Sequence, residues 1–302
     1  MDFSVIDNEK STFRAVPILE EDKTSIKLLY NTVFGRILLK VLIKTTVSKL
    51  TGSILGSPVS CIFIKGFIAQ NGIRMDAYKN VKYRSFDDFF TREIKEGYRP
   101  FPADTNSLMS PCDGKLTAYS ITPDSVFRIK HSLYSIKELL QDKSLADKYS
   151  GGTCLVFRLS PDDYHRYSFI DDAEILKRKY IKGVLHTVRP IAYQNHTVFC
   201  QNSREYTVMQ TKNFGKVVQI EVGALFVGKI TNHKKSGKVL RGEEKGMFGF
   251  GGSTIILLFT EDAVRIDGKI EENTALNRET IVRMGEKVGE SLTKKSDFAD
   301  FL

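Results

Sequence analysis

The sequence predicts an α+β protein in which N-terminal membrane-associating helices precede a β-rich catalytic domain of barrel-like or sandwich form. Two observations indicate this fold class. Apolar segments with helical spacing lie within the first 80 residues, whereas short β-rich segments separated by Gly, Asn, Asp and Lys turns dominate from about residue 115 onward. With 302 residues, 41% of them hydrophobic, the chain has ample material for a core. We therefore predict a helical region over residues 1–80 and a β-rich domain over residues 81–302.

An excess of basic residues narrows the class of partner. Lysine and arginine number 45 against 36 aspartate and glutamate residues, which gives a net charge of +9. Such a charge favours an anionic partner, whether nucleic acid, anionic lipid or a phosphorylated substrate. The sequence contains no recognisable nucleic-acid module and no long basic aromatic stretch, so we expect no nucleic-acid partner.

The cysteines and the first residues indicate the compartment. The four cysteines are scattered and form no CxxC pair, which favours a reducing environment. The N-terminal residues are polar and acidic, and they lack the basic start and the apolar core of a signal peptide. We therefore expect a bacterial protein that lies peripherally on the cytoplasmic face of the cell membrane.

A basic amphipathic helix is the first predicted element. Most positions of Lys27–Leu50 are apolar, but Arg36, Lys40 and Lys44 recur every four residues and line one stripe of a helix. No stretch reaches the roughly 18 to 20 uninterrupted apolar residues that a spanning helix needs. We expect the three cations to contact an anionic membrane surface. A helix packed on the protein's own core with a solvated basic edge remains the alternative.

Further helices and a series of strands follow. A very apolar helix is predicted over Ser57–Gly72, with a capping serine and a proline in its first turn. Ser85 is expected to cap a short helix, and another helix is predicted over Ser135–Tyr149. The predicted strands include TCLVFRL, HTVFC, EYTVMQT, KVVQIEV, ALFVGKI and STIILLF.

A glycine-rich junction precedes the last of these strands, in GMFGFGGSTIILLF (246–259). A glycine bulge at the start of a strand explains this pattern by itself. The glycines also leave the carbonyl of Gly252 open to close approach, so a second interpretation is that the hydroxyl of Ser253 attacks it in an N-to-O acyl shift. Elimination and hydrolysis would then leave a pyruvoyl group, whose ketone serves as an electron sink.

Such a reaction needs a base for the hydroxyl and a group that orients the base. His165 follows an apolar strand in RLSPDDYHRYSFIDD (158–172), and histidine is the natural proton carrier near neutral pH. Asp113 lies in the turn SPCDGK (110–115), where a buried aspartate would orient a histidine. A surface histidine and an ordinary Pro-x-Asp-Gly turn explain the same segments without catalysis.

These segments, taken together and in order, resemble the phosphatidylserine decarboxylases, a family of self-processing pyruvoyl enzymes. Each segment is a weak signal, whereas the ordered set over about residues 80 to 290 is highly specific. The similar segments are FDDFFTREIKEGYRP, SPCDGK, YSIKELL, LSPDDYHR, GVLHTV, NSREYTV, GKVVQIEVGALFVGKI, GEEKGMFGFGGST and ETIVRMGEKVG.

The resemblance implies how the chain is processed. It implies cleavage between Gly252 and Ser253, into a β chain of residues 1–252 and an α chain of residues 253–302 that stay together as a heterodimer. Ser253 would become the covalent pyruvoyl cofactor, and no metal is expected. Higher homo-oligomers are left open.

The resemblance also assigns roles by position. Asp113 matches the processing aspartate, while Asp163 and His165 lie in the DYHR signature, where His165 is expected to donate the proton in decarboxylation. Tyr164 and Phe248, in two of the matching segments, are predicted to contact the substrate.

One position departs from the family pattern. The family has a second histidine three residues after the first, as the base for the processing serine, and here that position is Ser168. A serine does not act as a base at neutral pH without activation. We predict that His186, in GVLHTV, is the replacement base.

The resemblance implies a lyase that converts phosphatidylserine to phosphatidylethanolamine and carbon dioxide. The substrate amine would form a Schiff base with the pyruvoyl ketone, which then accepts the electrons released by decarboxylation. Two alternatives remain. One is an uncleaved, inactive membrane-binding relative, because of Ser168, and the other is a pyruvoyl decarboxylase of a soluble amino acid.

Overall fold

The computed structural model describes residues 13–17, 32, 39, 42–43, 51–129, 132–188, 192, 197–224, 229–251 and 253–293. The predicted membrane contacts Arg36, Lys40 and Lys44 lie outside the described residues, and so does Gly252 of the predicted cleavage site. The predicted helix over Lys27–Leu50 that carries these cations is therefore neither confirmed nor contradicted.

The described residues form seventeen strands, which we number in chain order. They are β1 (Ala15–Pro17), β2 (Ser107–Met109), β3 (Gly114–Ser120), β4 (Val126–Ile129), β5 (Ser132–Ser135), β6 (Thr153–Leu159), β7 (Arg166–Ser168), β8 (Ala173–Ile181), β9 (Arg204–Thr211), β10 (Lys216–Gly223), β11 (Ile230–Asn232), β12 (Gly237–Val239), β13 (Glu244–Phe248), β14 (Ser253–Phe259), β15 (Val264–Ile266), β16 (Arg278–Val282) and β17 (Lys287–Ser291).

Six complete α-helices are found in the same part of the chain. They are α1 (Ile62–Asn71), α2 (Phe86–Phe90), α3 (Ile136–Leu140), α4 (Lys143–Ala146), α5 (Val198–Gln201) and α6 (Gly268–Ala275). Short 3₁₀ turns lie at Pro58–Cys61, Met75–Ala77 and Asp147–Tyr149. Among the described helices, none is long and apolar enough to cross a membrane.

Nine strands form one open antiparallel sheet. Its order is β1-β16-β3-β6-β14-β10-β9-β8-β12. Two three-stranded sheets, β11-β13-β7 and β15-β17-β2, and the hairpin β4-β5 complete the described sheets. The prediction of a barrel-like domain is wrong, because β1 and β12 remain unpaired edges and the described strands close no barrel. Mixed α and β structure with a preponderance of sheet is confirmed.

The central position of β14 explains its sequence. Every residue of STIILLF is buried, because β14 pairs with β6 on one side and β10 on the other and both faces of the sheet are covered. Leu155 and Phe157 of β6 and Ile220 of β10 belong to the same apolar core. The junction predicted to be cleaved therefore leads directly into the middle of the largest sheet.

Several predicted elements have different boundaries in the structure. HTVFC, predicted as a strand, lies partly in helix α5, and ALFVGKI lies mostly outside the described residues. The helix predicted over Ser135–Tyr149 is divided, because Gln141 has a φ of 47° and Asp142 caps a new helix through a bond from Leu145 N. Local hydrogen bonding by aspartate competes with continuation of a helix.

The predicted caps had different outcomes. Ser85 caps α2 as predicted, since its Oγ accepts a hydrogen bond from Asp88 N. Ser57 does not cap with its side chain; its Oγ donates to the carbonyl of Ile54 instead. The same residue type therefore serves a helix start in one place and a preceding turn in the other.

Candidate active site

Ser253 is the first residue of the central strand β14 and is fully buried. It lies opposite Leu159 of β6 and Gly223 of β10. Gly251, two residues earlier, has a φ of 137°, a backbone conformation that a residue with a side chain rarely adopts. The sheet thus fixes the serine from both sides, and the glycine lets the chain turn into the strand.

His165 supplies the side chain that contacts the serine. Its Nδ1 lies 3.4 Å from Ser253 Oγ, and its Nε2 lies 3.0 Å from the carbonyl oxygen of Ser160. A carbonyl oxygen only accepts, so Nε2 carries the hydrogen and Nδ1 presents a lone pair to the serine hydroxyl. The distance of 3.4 Å is longer than a strong hydrogen bond, as is common for catalytic groups before the reaction.

The surroundings of His165 keep its imidazole neutral. The residue is fully buried, and its ring lies 4.2 Å from the ring of Phe90. Burial, together with the nearby charge of Arg92, lowers the pKa of His165 to about 3. At neutral pH the imidazole is therefore unprotonated, which is the state that a base requires.

A polar turn holds the carbonyl that orients His165. Asp163 accepts a hydrogen bond from Ser160 N at 2.6 Å, and Ser160 Oγ accepts bonds from Lys115 and Arg158. Burial raises the pKa of Asp163 to about 7. Asp163 thus contacts the backbone of Ser160, and its catalytic role remains a prediction. The arrangement of hydroxyl, imidazole and acceptor is that of a nucleophile-base-acid set in which a main-chain carbonyl replaces the acid.

Asp113 lies in a different environment from His165. Arg99 forms a two-pronged ion pair with it, with Arg99 Nε 2.8 Å from Oδ1 and Nη2 2.5 Å from Oδ2. The main-chain N of Met284 also donates to Oδ1, at 2.8 Å. These bonds occupy both carboxylate oxygens of Asp113, and the hydrogen-bond partners of the His165 ring are Ser160 and Ser253 instead. Its predicted role in processing remains a prediction.

Ser168 and the Asp113 turn are neighbours. Ser168 is buried in β7, and both its N and its Oγ donate to the carbonyl of Pro111, at 2.9 and 3.4 Å. It also lines a cavity of about 280 Å³ with Arg99 and Tyr164. The position that departs from the family pattern therefore lies beside the predicted processing aspartate.

The side chain of Asn202 connects the main chain of His186 to the site. Its N donates to Asn202 Oδ1, while Asn202 Nδ2 donates to the carbonyls of His186 and Gly223. Gly223 in turn lies opposite Ser253 across the sheet. His186 thus belongs to the surroundings of the serine, but its role as base remains a prediction.

The two predicted substrate contacts occupy unlike positions. Tyr164 lines the cavity beside Ser168, and burial raises its pKa to about 12. Phe248 is fully buried, with its ring 4.9 Å from that of Tyr167, and its N donates to the carbonyl of His165. Both roles in substrate binding remain predictions.

Three residues near the site had no individual role in the sequence analysis. Phe90 contacts the His165 ring, Arg92 binds the loop before it, and Asp87 binds the loop before Ser253. All three lie in FDDFFTR, a segment quoted for its resemblance. The sequence did contain a signal for these residues, since this short segment places three charged residues among phenylalanines.

The described residues contain no group of three or more His, Cys, Asp or Glu side chains placed to hold a metal ion.

Comparisons with known proteins connect this geometry to a family. Residues 86–290 match the family described as phosphatidylserine decarboxylase. The chain is 50% identical to "Phosphatidylserine decarboxylase proenzyme 2" of Clostridium acetobutylicum over 268 residues, which cover 88% of this chain and 91% of the relative. It is 42% identical to "Phosphatidylserine decarboxylase proenzyme" of Clostridium perfringens, over 86% of this chain and 90% of the relative. A proenzyme of the same name from Ruminiclostridium cellulolyticum is 41% identical, over 90% and 92% of the two chains.

Proposed function

Because this chain belongs to the phosphatidylserine decarboxylase family, whose members are lyases, we propose that it converts phosphatidylserine to phosphatidylethanolamine and carbon dioxide after cleaving itself at Ser253. One observation carries the self-cleavage: the hydroxyl of Ser253 faces the unprotonated Nδ1 of His165 in a buried site. The relatives' description as proenzymes supports processing of the same kind.

His165 is the base of the processing step in this proposal. It takes the proton from Ser253 Oγ as Oγ forms a bond to the carbonyl carbon of Gly252 and the peptide C–N bond breaks. The same proton then passes from Nδ1 to the freed nitrogen of Ser253, which completes an ester. This assignment gives His165 a task that the sequence had led us to expect of His186.

Elimination and hydrolysis follow from the ester. His165 Nδ1 takes the Cα proton of Ser253 as the Cβ–Oγ bond breaks and the Gly252 carboxylate departs, which leaves dehydroalanine, and water then releases ammonia. The pyruvoyl group so formed supplies a ketone that accepts electrons during decarboxylation. The position of Ser253 fits such a group, because the start of a central strand, held by β6 and β10, fixes the new N-terminus.

His165 also remains beside the reacting centre after cleavage. Its Nδ1 takes up a proton that the substrate ammonium group releases, and it is then placed to donate this proton to the α-carbon that loses carbon dioxide. The bond from Nε2 to Ser160 fixes the ring orientation in both steps. Burial excludes water, which strengthens the electrostatic interactions inside the site.

Mass and activity together test the proposal. The purified wild-type protein is expected as two chains, the smaller being residues 253–302 with a blocked N-terminus, and as an enzyme that releases carbon dioxide from phosphatidylserine vesicles. Ser253→Ala is expected as one chain of 34.2 kDa without activity. A single wild-type chain with an intact serine in every preparation would support an inactive relative. Turnover of free serine in place of the lipid would support the soluble-substrate alternative.

An exposed apolar surface supports contact with the membrane that holds the substrate. Ile54, Val59, Ile62 and Phe63, which we call the apolar face, have exposed fractions of 57%, 72%, 71% and 54%. Lys65 is the one charged residue in 51–73, so no carboxylate opposes an anionic surface there. We place the protein peripherally on the cytoplasmic face, with this surface as a contact in addition to the predicted cations.

Vesicle sedimentation tests this contact. Ile62→Ser with Phe63→Ser removes two apolar side chains and is expected to weaken binding to phosphatidylserine vesicles about tenfold or more, since burial of each contributes about 1 kcal/mol or more. Leu276→Ser, at a residue that is 55% exposed outside the apolar face, is the matched control. Equal binding by both variants would contradict the contact.

A further inference from the structure

We infer that residues 86–92, α2 with Thr91 and Arg92, form a clamp that holds the cleavage loop and the His165 loop together for self-cleavage. We call this stretch the clamp segment. The inference rests on the proposed function and adds positioning residues to it. Three sets of contacts carry it: those to the cleavage loop, those to the His165 loop, and those that fix the clamp segment itself.

The clamp segment binds the loop that precedes Ser253. Asp87 Oδ1 accepts a hydrogen bond from Phe250 N at 3.1 Å. The ring of Phe250 lies 5.2 Å from that of Phe86 and 5.1 Å from that of Phe90, edge-on in both cases. Gly249 permits this approach, because a Cβ there would lie 3.3 Å from Asp87 Oδ1. One main-chain bond and two ring contacts therefore locate the loop three residues before the serine.

The same segment binds the loop that carries the base. Arg92 Nη2 donates to the carbonyls of Asp162 and Asp163, at 3.2 and 3.4 Å. Phe90 packs against the His165 ring, and the carbonyl of Thr91 accepts a bond from Arg166 Nε at 2.8 Å. Contacts thus reach the residues before His165, the imidazole itself and the residue after it.

Arg92 is unusual in how it is buried. Its exposed fraction is 1%, and its guanidinium lies over the rings of Tyr78 and Phe89, at 4.3 and 5.1 Å. Its hydrogen bonds go to carbonyl oxygens and the Tyr78 hydroxyl, and it has no carboxylate partner among the described residues. Burial of a charge is costly unless the charge is paired or hydrogen-bonded. The bonds that offset part of this cost for Arg92 include those that hold the loop of the base.

The clamp segment is itself rigidly held. Phe86, Phe89 and Phe90 form an apolar cluster with Phe67 of α1, whose ring lies 5.1 Å from that of Phe86. A segment fixed by α1 on one side therefore sets the positions of two loops on the other. Attack by Ser253 requires the hydroxyl and the imidazole to be positioned within a fraction of an ångström, since small displacements of reacting groups reduce rates severely.

Asp87 and Arg92 are accordingly positioning residues that touch neither Ser253 Oγ nor the imidazole. Asp87→Ala removes the acceptor for Phe250 N, and we expect self-cleavage to slow about tenfold or more. Asp87→Asn retains an oxygen acceptor of the same reach and is expected to cleave within about threefold of the wild-type rate. Arg92→Met, which loses the bonds to both carbonyls, is expected to slow cleavage more than Arg92→Lys.

The experiment follows cleavage of the full chain after pulse labelling in cell-free translation, by denaturing gel. Asp88→Ala is the matched control, because Asp88 is on the same helix but bonds Arg84 away from the two loops. Its rate is expected within twofold of wild type. Thermal unfolding of each variant in the Ser253→Ala background separates slowed chemistry from lost folding.

The possible results divide clearly. If the wild type cleaves itself and Asp87→Ala cleaves at the same rate, the clamp is overturned and the proposed function stays intact. The same conclusion follows if Asp88→Ala slows cleavage as much as Asp87→Ala does. Absence of cleavage in the wild type overturns the proposed function itself. If Asp87→Ala does not fold, Asp87→Glu provides the test, since it keeps the charge and displaces the acceptor by one methylene. If folded Asp87→Glu and Arg92→Met both cleave at the rate of the wild type, the clamp is overturned.

Discussion

Ser253 and His165 are 88 residues apart in the chain and meet at 3.4 Å. Their contact has a polarity, because the bond from His165 Nε2 to the Ser160 carbonyl leaves the lone pair on Nδ1 facing the hydroxyl. Position 168, where the family has a second histidine, is a serine in β7, yet His165, which directly precedes this strand, already contacts Ser253. At the scale of single residues, we therefore propose that His165 both takes the proton of the Ser253 hydroxyl during self-cleavage and donates a proton to the α-carbon during decarboxylation.

Substitution of His165 tests this assignment directly. His165→Gln is expected to reduce the rate of self-cleavage at least a hundredfold, because general-base catalysis contributes about 10²- to 10⁴-fold. Gel analysis of pulse-labelled chains measures the rate, with His233→Gln, at an exposed histidine bonded to Glu244, as the control. If His186→Ala stops cleavage and His165→Gln does not, the base is His186 as the sequence predicted.

The pKa of His165 predicts how cleavage depends on pH. Burial and Arg92 lower this pKa from 6.5 to about 3, so the unprotonated base persists throughout the range from pH 8 to pH 5. Asp163→Asn removes the other group in this loop whose pKa is shifted. In this variant we expect the cleavage rate to change less than about threefold between pH 8 and pH 5. An acid limb with its midpoint near pH 6.5 would show that His165 titrates as an ordinary histidine.

The two pKa shifts affect folding in opposite senses. Stability contributed by neutral His165 is complete above pH 6.5 and is lost as the pH falls towards 3, because the unfolded state then binds more protons. The raised pKa of Asp163 contributes stability below pH 3.8 that is lost as the pH rises through 7. Removal of Asp163 as a titrating group therefore removes the opposing contribution within this loop, while Asp171, whose pKa burial raises to about 6, still opposes that of His165.

At the scale of elements, a buried polar network ties β13, which leads into the cleavage loop, to the large sheet. Lys245 of β13 donates to Glu221 Oε1 of β10 at 2.8 Å and to Asn232 Oδ1 of β11 at 3.0 Å. Asn232 in turn donates to Glu221 Oε2 at 3.0 Å. Since β10 also pairs with β14, the network relates the strand before the cleavage site to the strand after it.

Loss of one partner in this network should be costly. Glu221→Gln in the Ser253→Ala background is expected to lower the free energy of unfolding by about 3 kcal/mol, because it leaves the buried ammonium without its counter-charge. Urea unfolding measures the change. Arg265→Gln, in the exposed pair of Arg265 with Glu290, is the control and should leave the free energy of unfolding nearly unchanged, because solvent screens that pair. A loss from Glu221→Gln no larger than the control's would contradict this role.

At the scale of the whole molecule, the predicted cleavage divides the chain without dividing the fold. The segment from residue 253 onward supplies β14 between β6 and β10, β16 between β1 and β3, and β17 beside β2. Ile255–Phe259 is fully buried. Removal of the small chain would expose these residues, at a cost of the order of 10 kcal/mol for their side chains.

The two chains should therefore behave as one particle. Processed protein is expected to elute from gel filtration with both chains in one peak at equal molar amounts, and to separate only under denaturing conditions. Intact mass of the denatured peak identifies the chains. Loss of the small chain during native chromatography would contradict the arrangement of these strands.

Local patterns in the sequence were sufficient for several features. Alternation and β-branched runs located β6, β9, β10 and β14, because a buried strand has a recognisable composition. Short helices were harder: HTVFC has strand-like residues, yet its last three residues, together with Gln201, form helix α5 through tertiary packing. The open sheet was also missed, because the number and order of strands depend on pairings between distant residues.

The sequence by itself determined the family, the junction at Ser253 and the loop that carries His165, since each depends on residue types in fixed local order. Only the tertiary structure decided that His165 faces Ser253, that Asp113 binds Arg99, and that residues 86–92 contact the loops that precede Ser253 and His165. The reason is physical. Composition and spacing along the chain specify what a side chain is able to do, whereas the packing of strands and helices decides which side chains meet.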